Sequence, residues 1–164
     1  MTYSFVKASV NEQTPEETQL VMVYQLSKIF DCLINREGDL KGFMAYAQTE
    51  TADFISMCRM LCEQKEWNFE ELCKDGQDEL PTARTEQLGR IFIIMGRMVR
   101  GLYYLKRFGD ARGDKPEKSM KDLIRWIKRL CTQMGWDFWE VTDMVRSVMR
   151  IAWKTYVRMA SISA

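Results

Sequence analysis

The chain contains no histidine. That absence removes the imidazole general base, the Ser-His-Asp type of triad and every zinc site built with His ligands. Catalysis by this sequence has to rest on carboxylates, lysine, cysteine, tyrosine or a metal held by carboxylates. Proline (3) and glycine (9) are scarce in 164 residues, so few positions are forced out of a helix. No apolar run approaches the ~20 residues that cross a bilayer, and no membrane segment is expected. The N-terminal stretch MTYSFVKASVNEQTPEE lacks the basic-then-apolar order of a secretory signal, so the expected compartment is the cytoplasm. The five cysteines (Cys32, Cys58, Cys62, Cys73, Cys131) are odd in number and include no CxxC. They fit buried free thiols better than disulfides or zinc. Cys58 and Cys62 share a helix face, which leaves a reactive pair open.

What the chain does have is helical periodicity. Hydrophobic residues make up 46% of it, enough for one sizeable core. The apolar positions recur at three and four residues, and no segment alternates as a strand does. The expected fold class is all-α. Thr14-Pro15-Glu16-Glu17 is a helix start: a hydroxyl cap, proline in the first turn and acids at the positive end of the dipole. The pattern predicts a first helix to about Arg36, a loop over 37–43, and a second helix from about Met44 to Lys65. A break follows at Trp67-Asn68-Phe69, then a short helix to about Cys73 and a link through Pro81-Thr82. Further helices are predicted from Thr85 to Phe108, from Glu117 to Met134, and from Phe138 to the C-terminus, with a polar, turn-rich loop from Gly109 to Pro116. Met95, Met98, Trp126, Trp139, Met144 and Trp153 are expected in the core.

The chain also repeats itself. Residues 53–72 read DFISMCRMLCEQKEWNFEEL and residues 122–141 read DLIRWIKRLCTQMGWDFWEV. At a constant offset of 69, eight of these twenty positions are identical, among them Cys62/Cys131, Trp67/Trp136 and Phe69/Phe138. Chance gives about one or two. Two copies of one unit imply one architecture used twice. The expectation is a single domain over 1–164, made of repeats at about 14–80 and 84–150. Each supplies a helical hairpin, and the two hairpins form a pseudo-two-fold four-helix bundle flanked by short helices.

The net charge of +1 hides a polarity. Residues 1–80 carry 7 basic and 15 acidic side chains, a net of −8; residues 81–164 carry 17 and 8, a net of +9. Either the halves complement each other, or the basic half faces a polyanion such as a nucleotide, a nucleic acid or an acidic protein. Arg90, Arg97, Arg100, Lys106 and Arg107 fall along one predicted helix, and Lys118, Lys121, Arg125, Lys128 and Arg129 along another. The same spacing describes a solvated face.

Glu50-Thr51-Ala52-Asp53 places two carboxylates one turn apart on one helix face. The apolar helix that follows, the Trp-x-Phe break and the acidic turn after it complete a pattern: ETADFISMCRMLCEQKEWNFEEL. This resembles the ExxD half-motif of the all-α NTP pyrophosphohydrolases, the MazG and dimeric dUTPase superfamily. TQLVMVYQLSKIFDCLINREG is similar to that family's first helix. The resemblance covers roughly residues 18–80 and, through the repeat, 87–144. It implies a helical bundle in which an EExxE pattern on the first helix joins the ExxD pair to hold Mg²⁺, which binds the triphosphate and activates water.

The motif departs from the family here. Aligned on the apolar pattern, the EExxE positions fall on Tyr24, Gln25 and Lys28, and in the second copy on Ile93, Ile94 and Arg97. The second ExxD reads Ser119-Met120-Lys121-Asp122. Three acids remain at matching positions: Glu50, Asp53 and Asp122. With Lys28 and Arg97 added, the expectation is a largely lost Mg²⁺ site, with no cofactor. Glu50 and Asp53 are left as a structural pair with Lys28 or Arg97, as a residual metal site, or on a solvated face. Glu16 and Glu17 are taken as dipole partners rather than as the family's acids. The resemblance then implies a non-catalytic nucleotide- or partner-binding protein, in which Lys28 and Arg97 meet phosphate directly. The alternatives are an active Mg²⁺-dependent (d)NTP pyrophosphohydrolase, with Asp31 or a second chain adding acids, and a nucleic-acid or acidic-partner binder using the basic half. A bundle completed within one chain suits a monomer, and a homodimer stays open.

Overall fold

The computed structural model describes residues 13–35, 42–74 and 83–144. Among these residues there is no strand, and the chain is all-α. Helix α1 spans Pro15–Phe30 and ends in a π-helical turn, Asp31–Asn35; α2 spans Gly42–Gln64; α3 is the single turn Phe69–Leu72. Helix α4 spans Arg84–Phe108, α5 spans Pro116–Gln133, and residues 138–144 form α6. No described helix is long and apolar enough to cross a membrane.

The helix starts follow from local chemistry. Thr14 caps α1: its side chain accepts from the Glu17 backbone N–H, and the Glu17 carboxylate accepts from the Thr14 N–H at 3.0 Å. Helix α5 starts on Pro116, whose missing N–H is not needed in a first turn. Helix α4 ends on Gly109 in the left-handed region at φ 71°, a conformation cheap only for glycine. Two boundaries differ from the sequence reading. Helix α2 begins at Gly42, inside the expected loop. Helix α1 widens into the π-turn after Phe30 rather than running on as α-helix to Arg36. That wider turn carries two consecutive buried residues, Cys32 and Leu33. The link over 75–82 and the last helix beyond 144, with Trp153, lie outside the described residues.

The bonds that close the turn after α2 recur 69 residues later. Trp67 N–H donates to the Cys62 carbonyl at 2.8 Å, and Trp136 N–H to the Cys131 carbonyl at 2.8 Å. Asn68 caps α3 by accepting from Glu71 N–H at 3.1 Å; Asp137 accepts from Glu140 N–H at 2.9 Å. Both turns pass through a left-handed residue, Glu66 at φ 59° and Gly135 at φ 74°. Glycine takes this conformation freely, whereas Glu66 bears a Cβ penalty of about 1 kcal/mol.

Helix α1 packs along α2, and α4 along α5; the two pairs meet through α1 against α4 and α2 against α5. Glu16 and Lys106 join the start of α1 to the end of α4 at 2.6 Å. Phe30 and Phe92 meet edge-to-face, with centroids 5.8 Å apart, at the opposite ends. Helices α1 and α4 therefore run antiparallel. One contiguous core joins Met22, Leu26 and Ile29 of α1 to Phe54, Leu61, Ile91, Met98, Leu123 and Ile127. The spacing of three and four along each helix is what puts these residues on one stripe. Met95 and Met98 are in the core and Trp126 and Met144 lie against it, but Trp139 is 46% exposed. It sits on the outer side of the α6 turn, with Phe138 taking the inward position.

All five cysteines are free and buried. Burial pushes Cys62 and Cys131 up to about 12 and Cys73 to about 11, and holds Cys58 well above an ordinary thiol. These groups stay protonated at neutral pH, which makes Cys58 and Cys62 packing residues and not a nucleophilic pair.

Candidate functional site

The structure brings together Glu50, Asp53 and Lys28. Glu50 lies on α2 with its side chain 8% exposed, and Lys28 on α1 reaches it across the hairpin, Nζ to Oε1 3.4 Å. The ammonium also sits 4.6 Å from the centroid of the Tyr24 ring, one turn earlier on α1. Burial works against the charge on Lys28. The Tyr24 hydroxyl, the charge and hydrogen bond of Glu50, and Tyr46 outweigh it, so its pKa is raised and the ammonium is fixed at neutral pH. Tyr46, one turn before Glu50, has a raised phenol pKa, first from hydrogen bonding to Glu50 and then from burial. Sequence reasoning missed Tyr46; its signal was the spacing of four to Glu50, which places both on one α2 face.

Asp53 is half-buried one turn beyond Glu50. Its carboxyl pKa is raised, first by burial and then by the Glu50 charge, with Lys28 pulling the other way. Gln25, at the second motif position, has its Oε1 buried without a hydrogen-bond partner among the described residues.

The positions 69 residues further on are arranged differently. Arg97 is exposed on α4, and its charge acts on Asp114. Asp114 itself is held by a bidentate pair with Arg100, at 2.8 and 2.9 Å. That contact lowers the Asp114 carboxyl pKa. Asp122 pairs with Lys118 at 2.8 Å, one turn away. Lys28 and Arg97 thus belong to separate hairpins and have separate partners. Glu16 pairs with Lys106 and Glu17 completes the Thr14 cap, both at the helix start. Asp31 accepts from Asn35 in the π-turn at 3.1 Å.

A magnesium ion needs several oxygen ligands in near-octahedral array. Among the described residues no group of three or more Asp, Glu or Cys side chains is placed to hold a metal ion. Glu50 and Asp53 are two donors, and the fixed Lys28 ammonium already occupies Glu50. Among the described residues these two carboxylates are the acids brought together here, and one of them is paired with Lys28. The cluster cancels one carboxylate against one ammonium and leaves the Asp53 charge at its edge.

Comparison with protein-family models, with characterised proteins and with solved structures finds no match for this chain.

The raised Asp53 pKa has a pH consequence. The folded state binds its proton more tightly than the unfolded chain, so stability falls as pH rises from 3.8 through the raised native value. Asp53→Asn removes the cost of ionising there. Urea unfolding should find the variant more stable than the parent at pH 7, with the gap closing below about pH 4. An unchanged gap across that range would contradict the electrostatic account of Asp53.

Proposed function

We propose that the chain is a non-catalytic relative of the all-α NTP pyrophosphohydrolases, built as a four-helix bundle from two tandem hairpins. Its activity is binding, of a nucleotide or of a protein partner, rather than pyrophosphate release. The observation that carries this reading is the 3.4 Å contact between Lys28 and the buried Glu50. Where the family pattern wants a further carboxylate, this chain has a cation that satisfies the remaining acid. The bundle and the repeat are supported by the turn bonds that recur at an offset of 69, and by the antiparallel meeting of α1 with α4.

Among the described residues, part of the charge of the basic half is already paired. Arg90, Arg100 and Lys118 are paired with Glu86, Asp114 and Asp122 of the same half, and Lys106 with Glu16 of the other. Arg129 stacks on Trp126, 4.5 Å from the ring centroid, and Lys128 reaches the Cys73 carbonyl. Local pairing of this kind reduces the field offered to a phosphate backbone. The family resemblance, and not the basic half, makes nucleotide the first ligand class to test.

A melting screen of nucleoside mono-, di- and triphosphates separates the readings, because any ligand that binds the folded state raises Tm. The expected result is a shift that is the same in Mg²⁺ and in EDTA. A shift that requires Mg²⁺ would favour the active enzyme. No shift with any nucleotide would leave the protein-partner form of the binding proposal and remove the nucleotide form.

A further inference from the structure

An open groove of about 620 Å³ runs between the first half of α1 and the last half of α4. Its walls are apolar, formed by Leu20, Val23, Val99, Leu102 and Tyr103. At one end lie Lys65 and the ion pair of Lys106 with Glu16, two ammonium groups against one carboxylate. Leu20 is 71% exposed and Tyr103 54% exposed, so the groove leaves apolar surface open to solvent.

The origin of the groove is legible in the repeat. At the other end of the same helix pair, Phe30 and Phe92 meet edge-to-face and fill the space between α1 and α4. Sixty-nine residues on from Phe30 is Val99, and sixty-nine back from Phe92 is Val23. Both valines line the groove. The two ends of the α1–α4 contact are thus related positions, one filled by a pair of phenyl rings and the other left open by a pair of valines. The open end is also where the two lysines outnumber the acid.

We infer that this groove binds a ring-bearing organic acid. Its apolar body takes the space that Phe30 and Phe92 fill at the other end, and its acid group lies at Lys65, beside the Lys106–Glu16 pair. The volume is that of a small-molecule site, and apolar walls with a few polar groups at one end fix such a ligand's orientation. The inference rests on the pseudo-two-fold reading of the bundle. It goes beyond the proposed function by naming a second site, separate from Lys28 and Glu50.

The test uses two fluorescent probes of similar ring content, the anionic 8-anilino-1-naphthalenesulfonate and the neutral N-phenyl-1-naphthylamine. The full chain should bind both at one site. Val23→Phe with Val99→Phe should weaken both at least tenfold and raise Tm, since it rebuilds the filled end. Lys65→Gln should weaken the sulfonate several-fold and leave the neutral probe unchanged. Leu20→Asp, at a position too exposed to unfold the chain, should abolish sulfonate binding even if the double variant is poorly folded. Failure of the wild-type chain to bind either probe would overturn the inference. So would a dimer, seen by sedimentation, that Leu20→Asp dissociates, because the occupant would then be a second copy. A rise in Tm with probe binding unchanged would sink the site and keep the pseudo-symmetry; no rise in Tm and no loss of probe would count against the pseudo-symmetry itself.

Discussion

Gly101→Leu should destabilise the fold by about 3 kcal/mol, near the upper end of what overpacking costs. Gly101 is buried on α4 where that helix crosses the start of α5. A Cβ placed there would stand 2.9 Å from Pro116 Cγ and 3.0 Å from Asp114 Cβ, closer than carbon atoms pack. Neither neighbour is free to retreat. Pro116 is the first residue of α5, and Asp114 is tied to Arg100 by two hydrogen bonds. The usual gain from replacing a helical glycine, about 1 kcal/mol for Ala, is therefore reversed at this position. Gly96 on the same helix has no atom within 4 Å of its added Cβ, and Gly96→Ala should gain that amount. Chemical unfolding of Gly101→Ala, Gly101→Leu and Gly96→Ala checks the pattern. If Gly101→Ala stabilised the protein as much as Gly96→Ala, the packing of α4 on α5 would be misdescribed.

Lys28→Glu should make the stability of the chain respond to magnesium, where the wild-type chain is expected to show no response. Without metal the change removes the partner of a buried carboxylate and adds a third negative group beside Glu50 and Asp53. Breaking such a pair costs about 2–4 kcal/mol, the lower figure reflecting the one-third exposure of Lys28. With metal, the side chains at 28, 50 and 53 become a three-carboxylate set on two facing helices, as the family pattern implies. At ten times its Kd, Mg²⁺ would return about 1.4 kcal/mol. Lys28→Gln is the control: it should lose stability without acquiring any response to Mg²⁺. Melting curves of the three proteins across a magnesium series give the comparison. An identical Mg²⁺ response in all three would show that Lys28 does not govern the metal preference of this site.

The sequence made the helices legible because apolar spacing and capping are local properties. Thr14, Pro116 and Gly109 mark their boundaries by chemistry that needs no tertiary context. The recurring Trp-x-Phe break was legible for the same reason, since the Asn68 and Asp137 caps act within three residues. The π-turn at Asp31–Asn35 was not, because two consecutive inward residues read equally well as a continuing helix. The pairing of Lys28 with Glu50 could be stated only as one of several outcomes; choosing it over Arg97 depends on which hairpin each residue occupies. Tyr46 was passed over because a half-exposed tyrosine has no signature until its carboxylate partner is located. The groove was hidden for a different reason: Val23 and Val99 are unremarkable residues, and only the packed Phe30–Phe92 pair shows what they lack.

If Lys28 stands where the family pattern has an acidic metal ligand, as proposed above, hydrolysis should be absent. Pyrophosphate release, followed over a panel of ribo- and deoxyribonucleoside triphosphates in millimolar Mg²⁺, tests it most directly. The predicted result is no release above the protein-free blank from either the wild-type chain or Glu50→Gln. Magnesium-dependent release by the wild-type chain that Glu50→Gln abolishes would contradict it.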